Sequence, residues 1–102
     1  MTFSKVDKNQ AEIVTALRNH GISVVSLAGA RNGIPDLVCT TAALTGTCLL
    51  EVKGPSGKLT PAQVKWHSEW RGPLAVVHSP VEAFAAVGLY TCASRGDCQY
   101  HP

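Results

Sequence analysis

Asp36, Glu51 and Lys53 are charged residues set in or at the edge of apolar, β-branched runs, where an unpaired charge is costly. Glu51 and Lys53 stand two positions apart, and in an extended strand that spacing turns both side chains to one face. Asp36 precedes Glu51 by fifteen residues, the length of two short strands and a turn. Paired antiparallel, those strands bring the two carboxylates together near one end. Carboxylates at hydrogen-bonding range repel each other, and a divalent cation resolves that repulsion. A hard cation such as Mg²⁺ takes oxygen ligands and keeps several waters, one of which can serve as a nucleophile. Lys53 would orient or help deprotonate that water, or stabilise charge on a phosphate. The plain alternative is a surface ion pair of Asp36 or Glu51 with Lys53 or Arg31, and exposed pairs of that kind contribute little.

The elements that must position these residues follow from periodicity and turn chemistry. Asp7 reads as an N-cap with Gln10 three residues on, opening a helix over 8–19 that places Ile13, Val14 and Leu17 on one face. Gly21 ends it. Residues 22–27 read as a strand, 28–33 as a loop, and 36–41 as a second strand entered through Pro35. A turn at Thr45, Gly46 and Thr47 returns the chain along a third strand over 48–53, which Gly54-Pro55-Ser56-Gly57 breaks. Thr60-Pro61-Ala62-Gln63 is a helix start with a capping box, predicting a helix to about residue 70. Trp66 and Trp70 fall at i, i+4 on it and read as core or a subunit interface rather than base-stacking platforms. Residues 74–78 form a fourth strand. Ser79-Pro80-Val81-Glu82 repeats the capping pattern before a last helix that closes at Gly88. The order is α-β-β-β-α-β-α, an α/β fold in which three strands form a meander and the fourth joins in parallel through a crossover helix.

Composition bounds the rest. With 102 residues there is room for one domain, expected over 1–88, with 89–102 as a tail or irregular packed end. A hydrophobic fraction of 45% with 16% charged residues suits a compact domain and argues against disorder. A net charge of +2 and a pI near 8.4 permit contact with nucleic acid, provided the positive charge is clustered. The four cysteines lack metal-site spacing, and Cys39 and Cys48 fall in apolar runs, so all read as free thiols in a reducing, cytoplasmic setting. Residues 1–10 lack the apolar stretch of a signal peptide, no run is long enough to span a bilayer, and no organic cofactor is implied.

The Pro35-Asp36 and Glu51-Val52-Lys53 blocks resemble the PD-(D/E)xK nucleases. More narrowly, the chain resembles VRR-NUC domains, including stand-alone phage and prophage proteins, for which the compartment is the bacterial host cytoplasm. The likeness runs through Asn9-Gln10-Ala11-Glu12-Ile13-Val14, Gly33-Ile34-Pro35-Asp36-Leu37-Val38, Leu50-Glu51-Val52-Lys53, Leu59-Thr60-Pro61-Ala62-Gln63 and Val76-Val77-His78-Ser79 with Glu82-Ala83. It implies a restriction-endonuclease-like mixed sheet flanked by helices and Mg²⁺- or Mn²⁺-dependent endonuclease activity on DNA, with branched DNA such as a Holliday junction preferred. By position it implies Asp36 and Glu51 as metal-binding carboxylates, the Val52 carbonyl completing the metal shell, Lys53 as catalytic lysine and Gln63 facing the site. A further acid on the first helix is expected, with Glu12 ahead of Asp7 and Gln10. Lys58, His67 and Arg31 are candidate DNA contacts. A symmetric homodimer would supply two sites and a doubled basic surface. The competing reading is a nucleic-acid-binding module of the same fold without cleavage.

Overall fold

The computed structural model describes residues 5–27, 32–43 and 45–89, with side chains from residue 8 onward. The described elements are α1 (Lys5–Asn19), β1 (Val24–Ser26), β2 (Leu37–Thr40), β3 (Thr47–Val52), α2 (Pro61–Glu69), β4 (Leu74–Val77) and α3 (Pro80–Val87). They follow the expected order. The strands form one mixed sheet in spatial order β1-β2-β3-β4, with antiparallel pairing from β1 to β3 and a parallel β3–β4 pair. The α2 crossover makes that parallel pair possible, because parallel strands cannot be joined by a tight turn.

Two boundaries differ from the sequence reading by more than one residue. The first helix starts at Lys5, so Asp7 lies in its first turn and is not its N-cap. The first strand begins two residues late, because the Ile22 amide bonds back to the Leu17 carbonyl at 3.1 Å and closes the helix. Gly21 permits that reversal at φ +82°. At the last helix, the Ser79 hydroxyl accepts the Glu82 amide as expected. Glu82, however, reaches one residue further back, accepting both the His78 amide and its ring Nδ1.

One face of the sheet carries the core. Cys48, Leu50 and Val52 alternate inward along β3 and pack with Leu37, Cys39 and Val77, with Ile13 and Leu17 from α1, and with Ala83, Phe84 and Val87 from α3. Each buried Leu or Ile contributes roughly 2 kcal/mol by leaving water. Cys39 and Cys48 are free and buried, and face each other across the β2–β3 ladder. Burial, then the neighbouring Cys48, pushes the Cys39 thiol up to about 12. By contrast, α2 has no buried residue. It sits on the opposite face, over the one position of β3 where the chain buries a charge.

Candidate active site

The last pair of the β2–β3 ladder at this end is Leu37 with Leu50. One step beyond it, Asp36 comes opposite Glu51. The Asp36 carboxylate accepts the Val52 amide through Oδ2 at 2.8 Å, which fixes its orientation. Its carboxyl lies close enough to Glu51 to act on that group's ionisation. Glu51 is 1% exposed. Burial first, then the hydrogen bond and the repulsion from Asp36, push Glu51 up to about 8, with Lys53 acting in the opposite direction. Two neighbouring carboxylates, one of them buried, cannot both ionise cheaply without a cation.

The crossover helix supplies the other wall. Thr60 caps α2 and accepts the Gln63 amide, while the Gln63 side-chain oxygen accepts the Thr60 amide at 2.9 Å, a complete capping box. The same oxygen accepts the Lys53 ammonium at 2.8 Å, and the Gln63 amide nitrogen donates to Glu51 Oε2 at 3.2 Å. Capping and site-facing roles are therefore carried by one side chain at once. Lys53 Nζ stands 3.9 Å from Glu51 Oε2. One turn further along α2, His67 turns inward, its Nε2 3.5 Å from Glu51 Oε1. Burial, then the charge of Lys53, lowers its pKa. Gly33 lets the preceding loop press against this helix, since a Cβ there would sit 2.3 Å from the Ala62 carbonyl oxygen.

Helix α1 is joined to this end of the sheet by a residue the sequence reading passed over. Asn9 Nδ2 donates to the Lys53 carbonyl at 3.1 Å and to the His78 carbonyl at 3.0 Å. It bridges the chain just past the ends of the two parallel strands. The available signal was Asn itself, which is unfavourable inside a helix unless its amide has other work. Glu12, one turn along α1, is exposed and lines a shallow cleft with Lys8, Asn9, Gly54, Pro55 and His78, beside the Lys53 backbone and outside the Asp36–Glu51 pair.

The remaining candidates scatter. Lys58 is exposed and Gln10 half-buried. Arg31 and the Asp7 side chain lie outside the described residues. Trp66 and Trp70 stack at 5.0 Å with an 18° interplanar angle. Trp70 remains 44% exposed, so it is not a core residue; a two-turn helix lying over a polar site has no core to offer it. Among the described residues, no three His, Cys, Asp or Glu side chains converge as a closed metal cage. An open two-carboxylate arrangement of the kind Mg²⁺ favours, with waters filling the remaining positions, needs none. No described helix is long and apolar enough to cross a membrane.

A family model described as the VRR-NUC domain matches residues 1–79. A solved structure described as a VRR-NUC domain shares 25% identity and superposes with a TM-score of 0.67, covering 86% of this chain and 99% of that one. No curated protein matches the sequence.

Proposed function

The chain belongs to the VRR-NUC family, a nuclease domain, and from that premise we propose that it hydrolyses DNA phosphodiester bonds by a Mg²⁺- or Mn²⁺-dependent mechanism, with branched DNA such as a Holliday junction as its preferred substrate. The observation that carries the reading is buried Glu51 beside half-buried Asp36, with Lys53 next to them. The donor set fits a hard divalent cation. Glu51 Oε1 is buried without a hydrogen-bond partner, a lone pair removed from water that a cation would satisfy. Asp36 and Glu51 would hold the ion, together with the carbonyl of Val52. When bound, the ion lowers the pKa of a coordinated water and draws charge from the phosphate.

The protein side of the chemistry is positioning. The Val52 amide orients Asp36, and Gln63 holds Glu51 through its nitrogen and Lys53 through its oxygen. Lys53 thereby keeps a fixed ammonium at the site, where it orients the attacking water and stabilises the phosphate as charge builds. In a homodimer two such sites would face two strands of one junction; a monomeric mass in light scattering would count against that arrangement.

The test is cleavage of labelled four-way junction and linear duplex by wild type and Asp36→Ala, with Mg²⁺, Mn²⁺ or EDTA. Metal-dependent cleavage of the junction in preference to the duplex, abolished in the variant, is expected. DNA binding without cleavage of any substrate would point instead to a binding module.

A further inference from the structure

Among the described residues, the buried side-chain polar atoms without a hydrogen-bond partner are Thr41 Oγ1, Glu51 Oε1 and His67 Nε2. Such atoms are uncommon in folded proteins, and each carries a desolvation cost. The last two face each other at 3.5 Å. Glu51 Oε2 is already served, by the Gln63 amide at 3.2 Å and the Lys53 ammonium at 3.9 Å. Oε1 faces the His67 ring, whose side chain is 13% exposed, with Asp36 also beside the carboxyl. A neutral imidazole carries one proton, which can sit on either nitrogen. On Nε2 it would face Oε1 across 3.5 Å, a contact that a small shift of either side chain would close into a hydrogen bond.

Resting on the metal-nuclease reading above, we propose that His67 is a positioning residue that holds Glu51 through an Nε2–H···Oε1 contact and so fixes how that carboxylate meets a divalent cation. It acts through Glu51 and is not itself a ligand, in keeping with the absence of a cage of three such side chains among the described residues. A ring N–H donor there steadies one carboxylate oxygen while Gln63 holds the other. Donors behind ligating carboxylates act in this way, orienting the ligand and tuning its affinity.

The test is calorimetric titration of Mn²⁺ into metal-free wild type, His67→Ala and His67→Gln, without DNA. His67→Ala should bind Mn²⁺ roughly tenfold more weakly or worse, and His67→Gln, whose amide nitrogen can reach the same oxygen, should recover to within about threefold. Equal affinity in wild type and His67→Ala overturns the role of His67 and leaves the metal site standing. No Mn²⁺ binding by wild type overturns the metal reading and this inference with it. A second measurement does not depend on the variants folding. Long-range ¹H–¹⁵N spectra of the wild-type ring with Mg²⁺ bound should show the proton on Nε2 at pH 7. A proton on Nδ1 alone overturns the proposal.

Discussion

Lys53 and Gln63 are joined by a 2.8 Å hydrogen bond from the lysine ammonium to the amide oxygen, the same oxygen that closes the capping box of α2. The start of the crossover helix and the aim of the lysine are thus a single piece of geometry. Moving either moves the other.

Replacing Gln63 with Ala should therefore do two separable things. It removes the Thr60 acceptor, costing about 1 kcal/mol of stability, and it frees Lys53 and Glu51 Oε2, lowering the cleavage rate roughly 10- to 100-fold. Gln63→Glu keeps both acceptor contacts but sets a second carboxylate against Glu51. Its stability should fall below that of Gln63→Ala only as pH rises through about 8, where Glu51 ionises beside it. Thermal melts and initial rates on one junction substrate measure both effects; an unchanged rate in Gln63→Ala would show that Lys53 needs no tether.

Glu51 makes metal-free stability depend on pH in a defined direction. Its pKa rises from 4.5 to about 8 on folding, so between those values the native state holds a proton that the unfolded chain has lost. Stability from this group is complete below 4.5 and is lost as pH rises through about 8. Glu51→Gln removes the dependence. In EDTA at pH 8 the variant should be more stable than wild type by up to about 4 kcal/mol, and it should lose the stabilisation that added Mn²⁺ gives wild type. Urea melts at pH 5 and pH 8 decide the matter, because a wild-type advantage at pH 8 in EDTA would reverse the sign argued here.

Asn9→Ala should loosen the β3–β4 end from α1. Two carbonyls lose their side-chain donor, at a cost of about 1–3 kcal/mol where water cannot replace it. The Lys53 amide, which bonds to the Val77 carbonyl at 3.0 Å, should exchange its hydrogen faster than in wild type. Exchange at the buried Leu50 amide should change only with global stability. Equal protection of Lys53 in both proteins would mean that Asn9 is not what holds this end together.

Much of this arrangement was legible in sequence because it is local. The β-branched runs, the Thr45-Gly46-Thr47 turn and the Thr60 cap each announce themselves within a few residues, and the fifteen-residue spacing was enough to place Asp36 opposite Glu51. Asn9 was not legible, since its partners lie 44 and 69 residues away and are backbone atoms without sequence identity. The start of α1 was misread because an Asp serves a helix both as N-cap and in the first turn. His67 was read as a phosphate contact. Its inward turn depends on where α2 lands on the sheet, which helical spacing alone does not give.

That landing depends on Gly33, and a comparison of two glycines should show it. Gly21 and Gly33 share φ +82°, but a Cβ on Gly21 meets nothing within 4 Å, whereas one on Gly33 would lie 2.3 Å from the Ala62 carbonyl oxygen. Gly21→Ala should therefore cost only the strain of a left-handed alanine, about 1 kcal/mol, with cleavage unchanged. Gly33→Ala adds a collision with backbone, which no rotamer change can relieve, so the loop and the first turn of α2 must part. Gln63 and His67 ride on that helix and would move away from Glu51 with it. The variant should lose at least about 2 kcal/mol and lose activity beyond what its unfolded fraction explains. If the two variants match in melts and in rates measured well below their melting temperatures, the loop does not seat α2. The helix would then be held by Gln63 and His67 alone.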